Sequence, residues 1–262
     1  MKAGSGEASK YFVRAIREAG VRPPDTSLQH VKKNFAEKLS NTVALGIAER
    51  LRELGLPECA PDPKTGGRER QFAGGIGAKK VDVSFATEAD GLILAVSIKS
   101  ICFPDAKTKN FQKNLTNRRG DLLAEATTLH QRFPYAVVGG LFLLDQRAAA
   151  DGTGRRASTF ETAHEFFKTF DGRGTQTNAV ERFEVLGIAL FDPNPTTVSY
   201  FDAGKGSDEK PLDTFLERLL LRIAERNPDR FRFVDGRIEK RSGPPTKSKT
   251  PINADDEDAE DE

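Results

Sequence analysis

Long apolar runs are missing from this 262-residue chain: no stretch approaches the roughly 18 residues that a membrane-spanning helix needs. The first residues, MKAGSGEASK, lack the apolar core of a secretory leader. Cysteine is scarce. Cys59 and Cys102 are the only two, too few for a disulfide framework, and no CxxC or CxH pair is present to hold zinc; both read as reduced thiols. Histidine is equally sparse: His30, His130 and His164 show neither metal-ligand spacing nor an evident acid partner, and read as structural or surface groups. The GxG in "GGIGAKK" precedes a strand instead of linking strand to helix, which excludes a dinucleotide or P-loop site. Ser97 is not framed by a G-x-S-x-G elbow, so it is not a hydrolase nucleophile of that kind. No internal repeat is found. These absences lead to the expectation of a cytoplasmic protein with no membrane partner.

Net charge is also nearly absent, at +1, but it is unevenly spread. The segment 254–262, ADDEDAEDE, holds seven acidic residues and no basic one. The rest of the chain then carries an excess of about eight positive charges, an arrangement common in proteins that meet polyanions. A solubility segment on an ordinary domain would have the same charge pattern.

Hydrophobic periodicity predicts helices over 7–20 and 28–54. In the second, Val31, Phe35, Leu39, Val43, Ile47 and Leu51 form one stripe. Residues 60–78 are rich in Pro and Gly and read as loop. "KKVDVSFATEADGLILAVSIKS" (79–100) reads as a hairpin, with strands near 80–86 and 91–99 and Asp90-Gly91 as the turn signal. A polar, irregular stretch over 103–118 precedes a helix over 119–133. "YAVVGGLFLL" (135–144) has the continuous apolar character of a strand covered on both faces. After a loop at 145–157 come a helix over 158–170, two strands joined at Pro193-Asn194-Pro195, and a helix over 212–226. The order predicts an α/β fold with a mixed central sheet flanked by helices over 1–240. Residues 241–262 have too few apolar groups to offset ordering entropy and are expected to be a disordered acidic tail.

Strand alternation puts Val81, Val83 and Phe85 on one face of the hairpin, and Lys80, Asp82 and Ser84 on the other. On the second strand Leu92, Leu94, Val96 and Ile98 alternate with Ile93, Ala95, Ser97 and Lys99. A turn centred on Ala89-Asp90 sets Asp82 across from Ser97 and one diagonal step from Lys99. Burying a lysine at the end of an apolar strand is costly without a partner. Either Asp82 and Lys99 pair as a local sheet-edge salt bridge, or they form a hard-metal site in which Asp82 ligates Mg2+ and Lys99 polarises a water.

With "VDV" supplying an aspartate and "SIK" following on the next strand, residues 28–144 resemble the PD-(D/E)xK nuclease superfamily, which includes many restriction endonucleases. Val81 stands where the family name has Pro, and Ser97 stands where the second metal-binding carboxylate would be. The resemblance implies a restriction-endonuclease-like core and Mg2+ held by Asp82 and the Ile98 carbonyl. Lys99 would stabilise the attacking hydroxide, and Ser97 would orient water or metal. The missing carboxylate would come from a neighbouring helix, as in family members that carry Ser at this position. Glu37 on the long helix ranks first, ahead of Glu125 and then Asp121, which lie four residues apart beside the apolar stripe of the helix after the hairpin. Glu49 is a distant fourth.

The segment 98–121 that follows is basic and rich in amides. Lys107, Lys109, Lys113, Asn117, Arg118 and Arg119 suit contact with the phosphates and base edges of double-stranded DNA. Arg118 and Arg119 at a helix start oppose the helix dipole, which favours an external anion as their partner. The expectation is a Mg2+-dependent DNA endonuclease of restriction or phage defence, working as a homodimer if it cuts both strands, or with other defence-system subunits. The alternatives are a catalytically inactive nuclease-like fold that binds DNA or assembles a defence complex, and a purely structural α/β domain.

Overall fold

The computed structural model describes residues 6–65, 70–73, 77–175, 179–204 and 208–241; residues 242–262 of the expected acidic tail lie outside the described residues. The fold is mixed α/β. A six-stranded sheet is ordered β3-β4-β5-β6-β7-β8, formed by Val83–Thr87, Gly91–Ile101, Val137–Asp145, Val185–Pro193, Thr196–Asp202 and Glu209–Lys210. β4, β5 and β6 run parallel and the remaining pairings are antiparallel. Parallel neighbours need long crossovers, supplied here by helices α3 (Leu115–Arg132) and α4 (Thr159–Phe167). Among the described residues, no helix is long and apolar enough to cross a membrane.

Two apolar layers sandwich the sheet. On one face α1 (Glu7–Ala19), α2 (Gln29–Glu53) and α5 (Asp213–Arg226) pack Phe12, Leu39, Ile47, Phe215 and Leu219 against Val83, Val96 and Leu141. On the other, α3 and α4 pack Leu122, Leu129 and Phe167 against Ala95, Val138 and Phe142. The α2 stripe is buried from Phe35 to Leu51, but Val31 is exposed, because the first turns of α2 stand beside an open cleft instead of the sheet. The paired glycines of β5 permit close packing. A Cβ on Gly139 would lie 2.7 Å from Leu219 Cδ2, and one on Gly140 would lie 2.5 Å from Leu186 Cδ2.

Several small strands lie outside the expected set, β8 (Glu209–Lys210) at the sheet edge among them. β1 (Arg70–Ala73) and β2 (Ala78–Val81) form a ribbon within the stretch read as loop and the residues after it. β9 (Phe231–Val234) and β10 (Arg237–Lys240) form another ribbon against α5. The hairpin register follows the expectation at Val83↔Val96 and Phe85↔Leu94, then shifts through a bulge between Phe85 and Ala86. The extra residue reverses side-chain alternation locally, so Ile93 joins Leu94 on the α2 face and Leu92 turns to the α3 face. The first strand is likewise not continuous. β2 ends at Val81 and β3 begins at Val83, which corrects the expectation that both valines share a face: Val81 packs in the α3 layer and Val83 in the α2 layer.

Candidate active site

Asp82 is the residue at that break. At this break its carboxylate Oδ2 accepts the backbone N–H of Ile98 at 2.6 Å, a charge-assisted bond stronger than an ordinary strand contact. Because β3 begins opposite Val96, residues 97–101 of β4 have no β3 partner on that side, and the sheet edge opens there. A strand residue directs its N–H and C=O to the same side. The Ile98 carbonyl therefore faces the same opening as the N–H bound by Asp82.

Alternation along β4 sends the Ile98 side chain into the α2 layer and the Lys99 side chain towards α3. There Lys99 Nζ lies 2.6 Å from Glu125 Oε1, with both side chains 15% exposed. Lys99 thus pairs with a helix carboxylate, which corrects the expected local salt bridge with Asp82: strand alternation sends the Lys99 side chain towards α3, while the Asp82 carboxylate accepts from the Ile98 amide. Among the described residues, buried Glu125 Oε2 has no hydrogen-bond partner, a costly state for a carboxylate oxygen. Ser97 is buried on the same strand.

Asp82, Ile98 and Lys99, but not Ser97 or Glu125, line a cleft of about 810 Å³ between the start of α2 and the start of α3. Asp82, Ile98 and Lys99 form its floor, Lys32, Lys33 and Glu37 approach from α2, and Asp105, Lys113 and Arg118 approach from the opposite wall. Glu37 faces this cleft but is exposed and pairs with Lys33 at 3.5 Å. Asp121 is not among the lining residues; it pairs with Arg118 at 3.4 Å. Glu49 is bonded to Arg14 of α1 and serves helix packing. The structure therefore gathers Asp82, Ile98, Lys99 and Glu37 around one opening and joins Glu125 to it through Lys99, while Asp121 points elsewhere.

The basic wall differs from its expected form. A 3-10 turn at Gln112–Asn114 runs directly into α3, which starts at Leu115 instead of 119. Arg118 and Arg119 thus lie inside the helix. Arg119 stacks on Phe166, with its guanidinium carbon 4.3 Å from the ring centre, and does not line the cleft; this exposed cation–π contact directs it elsewhere. Lys107, Lys109 and Asn117 are exposed and also outside the lining. Lys113 reaches Asp105 at 2.5 Å. That ion pair, with the N–H groups of Thr108 and Lys107, holds the Asp105 carboxyl well below the usual range.

Two buried polar clusters were invisible in the sequence. At the opposite end of β5, Glu184 is fully buried and accepts from the Val138 N–H at 2.7 Å; it also meets His130 at 3.1 Å, Arg173 at 2.9 Å and Arg226 at 2.7 Å. Burial alone would raise the Glu184 carboxyl, but His130, Arg226 and the Val138 amide together hold it below its ordinary value. Arg218 similarly joins the buried Asp171 and Asp202. Both clusters fasten loops and helices to the sheet away from the cleft. Cys102 does line the cleft, but burial pushes its thiol up to about 12, so it is not a nucleophile at neutral pH. Among the described residues, no group of three His, Cys, Asp or Glu gathers at metal-binding distance. No protein-family model, curated protein or solved structure matches the chain.

Proposed function

We propose that the chain is a Mg2+-dependent DNA endonuclease with a restriction-endonuclease-like core, and that Asp82, Ile98, Lys99 and Glu125 form its reacting centre. The observation that carries this reading is the conjunction at the open edge of β4. One carboxylate is fixed to the Ile98 amide, and a lysine is held by a second carboxylate whose other oxygen has no partner among the described residues. A plain structural salt bridge explains neither the broken strand at Asp82 nor the orphaned Glu125 oxygen.

The residues fit Mg2+ better than a closed structural metal site. Mg2+ keeps several waters and takes only one or two protein carboxylates together with substrate phosphate, and Asp82 and Glu125 are the two this reading assigns to it. Asp82 and the Ile98 carbonyl would hold the ion, and Glu125 Oε2 would take the place of the acid absent at Ser97. When bound, Mg2+ supplies Lewis-acid polarisation of the phosphate and of an attacking water. Lys99 stabilises negative charge developing on the phosphoryl oxygens. Glu125 keeps that ammonium oriented, and Lys32, Lys113 and Arg118 hold the backbone phosphates on either side.

A second reading, a nuclease-like fold that binds DNA without cutting, is favoured by Ser97 in place of an acid and by the involvement of Glu125 with Lys99. Incubation of a supercoiled plasmid with the chain separates the two. The endonuclease nicks or linearises the plasmid when Mg2+ is added and stops when it is chelated. A chain that shifts the plasmid on a gel and leaves it supercoiled at every Mg2+ concentration is the inactive binder.

A further inference from the structure

We propose that Phe103 and Lys32 form a nucleotide subsite in the cleft: an unpaired DNA base stacks on the Phe103 ring and the adjoining phosphate meets the Lys32 ammonium. The strand presented to Asp82 and Lys99 is then a single one. Its presentation to those two residues rests on the reading just given; the binding of an unpaired base does not. Among the described residues, Phe103 is the one aromatic side chain lining the cleft, and it is partly exposed. Its ring is held in place by two neighbours. Phe35 of α2 meets it edge-on with ring centres 6.0 Å apart, and the Arg22 guanidinium carbon lies 4.4 Å from its centre. Arg22 is itself fixed, to Asp145 at 3.1 Å and to the Cys102 carbonyl at 2.9 Å. A ring ordered in advance loses little freedom when a base stacks on it.

Lys32 supplies the charge. Lys33, Lys99, Lys113 and Arg118 each face a carboxylate. Lys32 has no carboxylate partner among the described residues: its ammonium donates to the Asp25 carbonyl at 3.2 Å and lies 5.8 Å from the Phe103 ring centre. A phosphate therefore engages Lys32 without first displacing an acid. Size decides between one strand and two. A cleft of about 810 Å³ is the space of a single drug-sized ligand, room for a nucleotide or two and not for a base-paired duplex. Within a duplex, moreover, base faces are covered by their neighbours and reach a protein ring only after unstacking. Phe103 follows Lys99 by four residues, at most about 14 Å of chain, so one short stretch of strand serves both. The amides of Gln29, Asn41 and Asn114 line the same cleft and suit the hydrogen-bonding edge of an unpaired base. Negative supercoiling favours strand opening, which keeps the supercoiled plasmid a substrate.

Photocrosslinking and binding, both with Mg2+ chelated, test the subsite without any cutting. A single-stranded oligonucleotide containing 5-iodouracil is irradiated on the native chain, and peptide mapping is expected to place the link on Phe103. Links only to rings outside the cleft, or none, overturn the proposal. Fluorescence anisotropy then compares the single strand with a duplex of the same sequence. Phe103→Leu should bind the strand about tenfold more weakly than the natural chain and the duplex equally well, whereas Phe103→Tyr, which keeps the ring, should match the natural chain on both. Lys32→Gln should weaken strand binding and make its salt dependence shallower. A Phe103→Leu variant that binds the strand as well as the natural chain, or loses strand and duplex equally, overturns the proposal. If strand binding depends on the ring but Mg2+ never elicits cleavage, the subsite stands and the nuclease reading is the part that fails. If the plasmid is cut while Phe103→Leu binds the strand normally, the nuclease reading stands and the subsite fails.

Discussion

Lys99 of β4 and Glu125 of α3, 26 residues apart in sequence, meet at 2.6 Å beneath the cleft, each with only 15% of its side chain exposed. The pair ties the crossover helix to the strand whose edge is open. Removing one partner leaves the other charge largely desolvated. Glu125→Gln is therefore expected to lower unfolding stability in urea by about 2 kcal/mol, whereas the double replacement Lys99→Met with Glu125→Leu should recover most of that loss. A double variant as unstable as the sum of the two single ones would show that the pair is not coupled in this way.

The Glu184 cluster makes a pH prediction. Its carboxyl is held below the ordinary value of 4.5 by His130, Arg226 and the Val138 amide. A depressed carboxyl stabilises the fold fully above its unfolded value and loses that contribution as pH falls through its lower folded value. Thermal stability should thus be flat with respect to this group at neutral pH and decline below about 4.5. In Glu184→Gln this acid-dependent component should vanish. Because the substitution leaves Arg173 and Arg226 without their buried anion, it should also cost about 3 to 5 kcal/mol at pH 7. An unchanged acid limb in the variant would contradict the assignment.

Burial pushes both thiols, Cys59 and Cys102, up to about 12. The native chain should therefore resist alkylation by iodoacetamide at pH 8, and both thiols should react once the chain is denatured. Rapid modification of Cys102 in the native state would mean that the cleft floor opens far more than its packing allows.

The layer arrangement, the long α2 stripe and the hairpin register were legible because each follows from a periodic pattern of apolar residues and a turn signal. Val83↔Val96 is the pairing that the Ala89-Asp90 turn implies. What escaped depended on single residues or on distant ones. The break at Asp82 and the bulge at Phe85/Ala86 each change the face of a neighbouring side chain, and no composition rule marks them. The β9–β10 ribbon carried a readable signal in Asp235-Gly236, both left-handed at φ 48° and 77°, between residues of alternating character. α3 starts early because the 3-10 turn at Gln112–Asn114 propagates into it, although Asn114 makes no side-chain cap. His130 and Glu184 lie 54 residues apart, and only the packed sheet brings them together. Among the candidate acids, sequence could place Glu37 and Glu125 beside an apolar stripe, but only the tertiary contact distinguishes the exposed Glu37 from the half-buried Glu125 that holds Lys99.

The central claim is that Asp82 and Lys99 perform chemistry on DNA bound in the cleft, and the most direct test measures cutting and binding in the same samples. Wild type, Asp82→Asn and Lys99→Met are incubated with plasmid and Mg2+, and their affinity for a duplex is measured in parallel. The account predicts cleavage by the wild type that falls by about 100-fold or more in each variant, while duplex affinity changes little because the proposed phosphate contacts are assigned to Lys32, Lys113 and Arg118, which line the same cleft. Cleavage that survives in both variants would contradict the account.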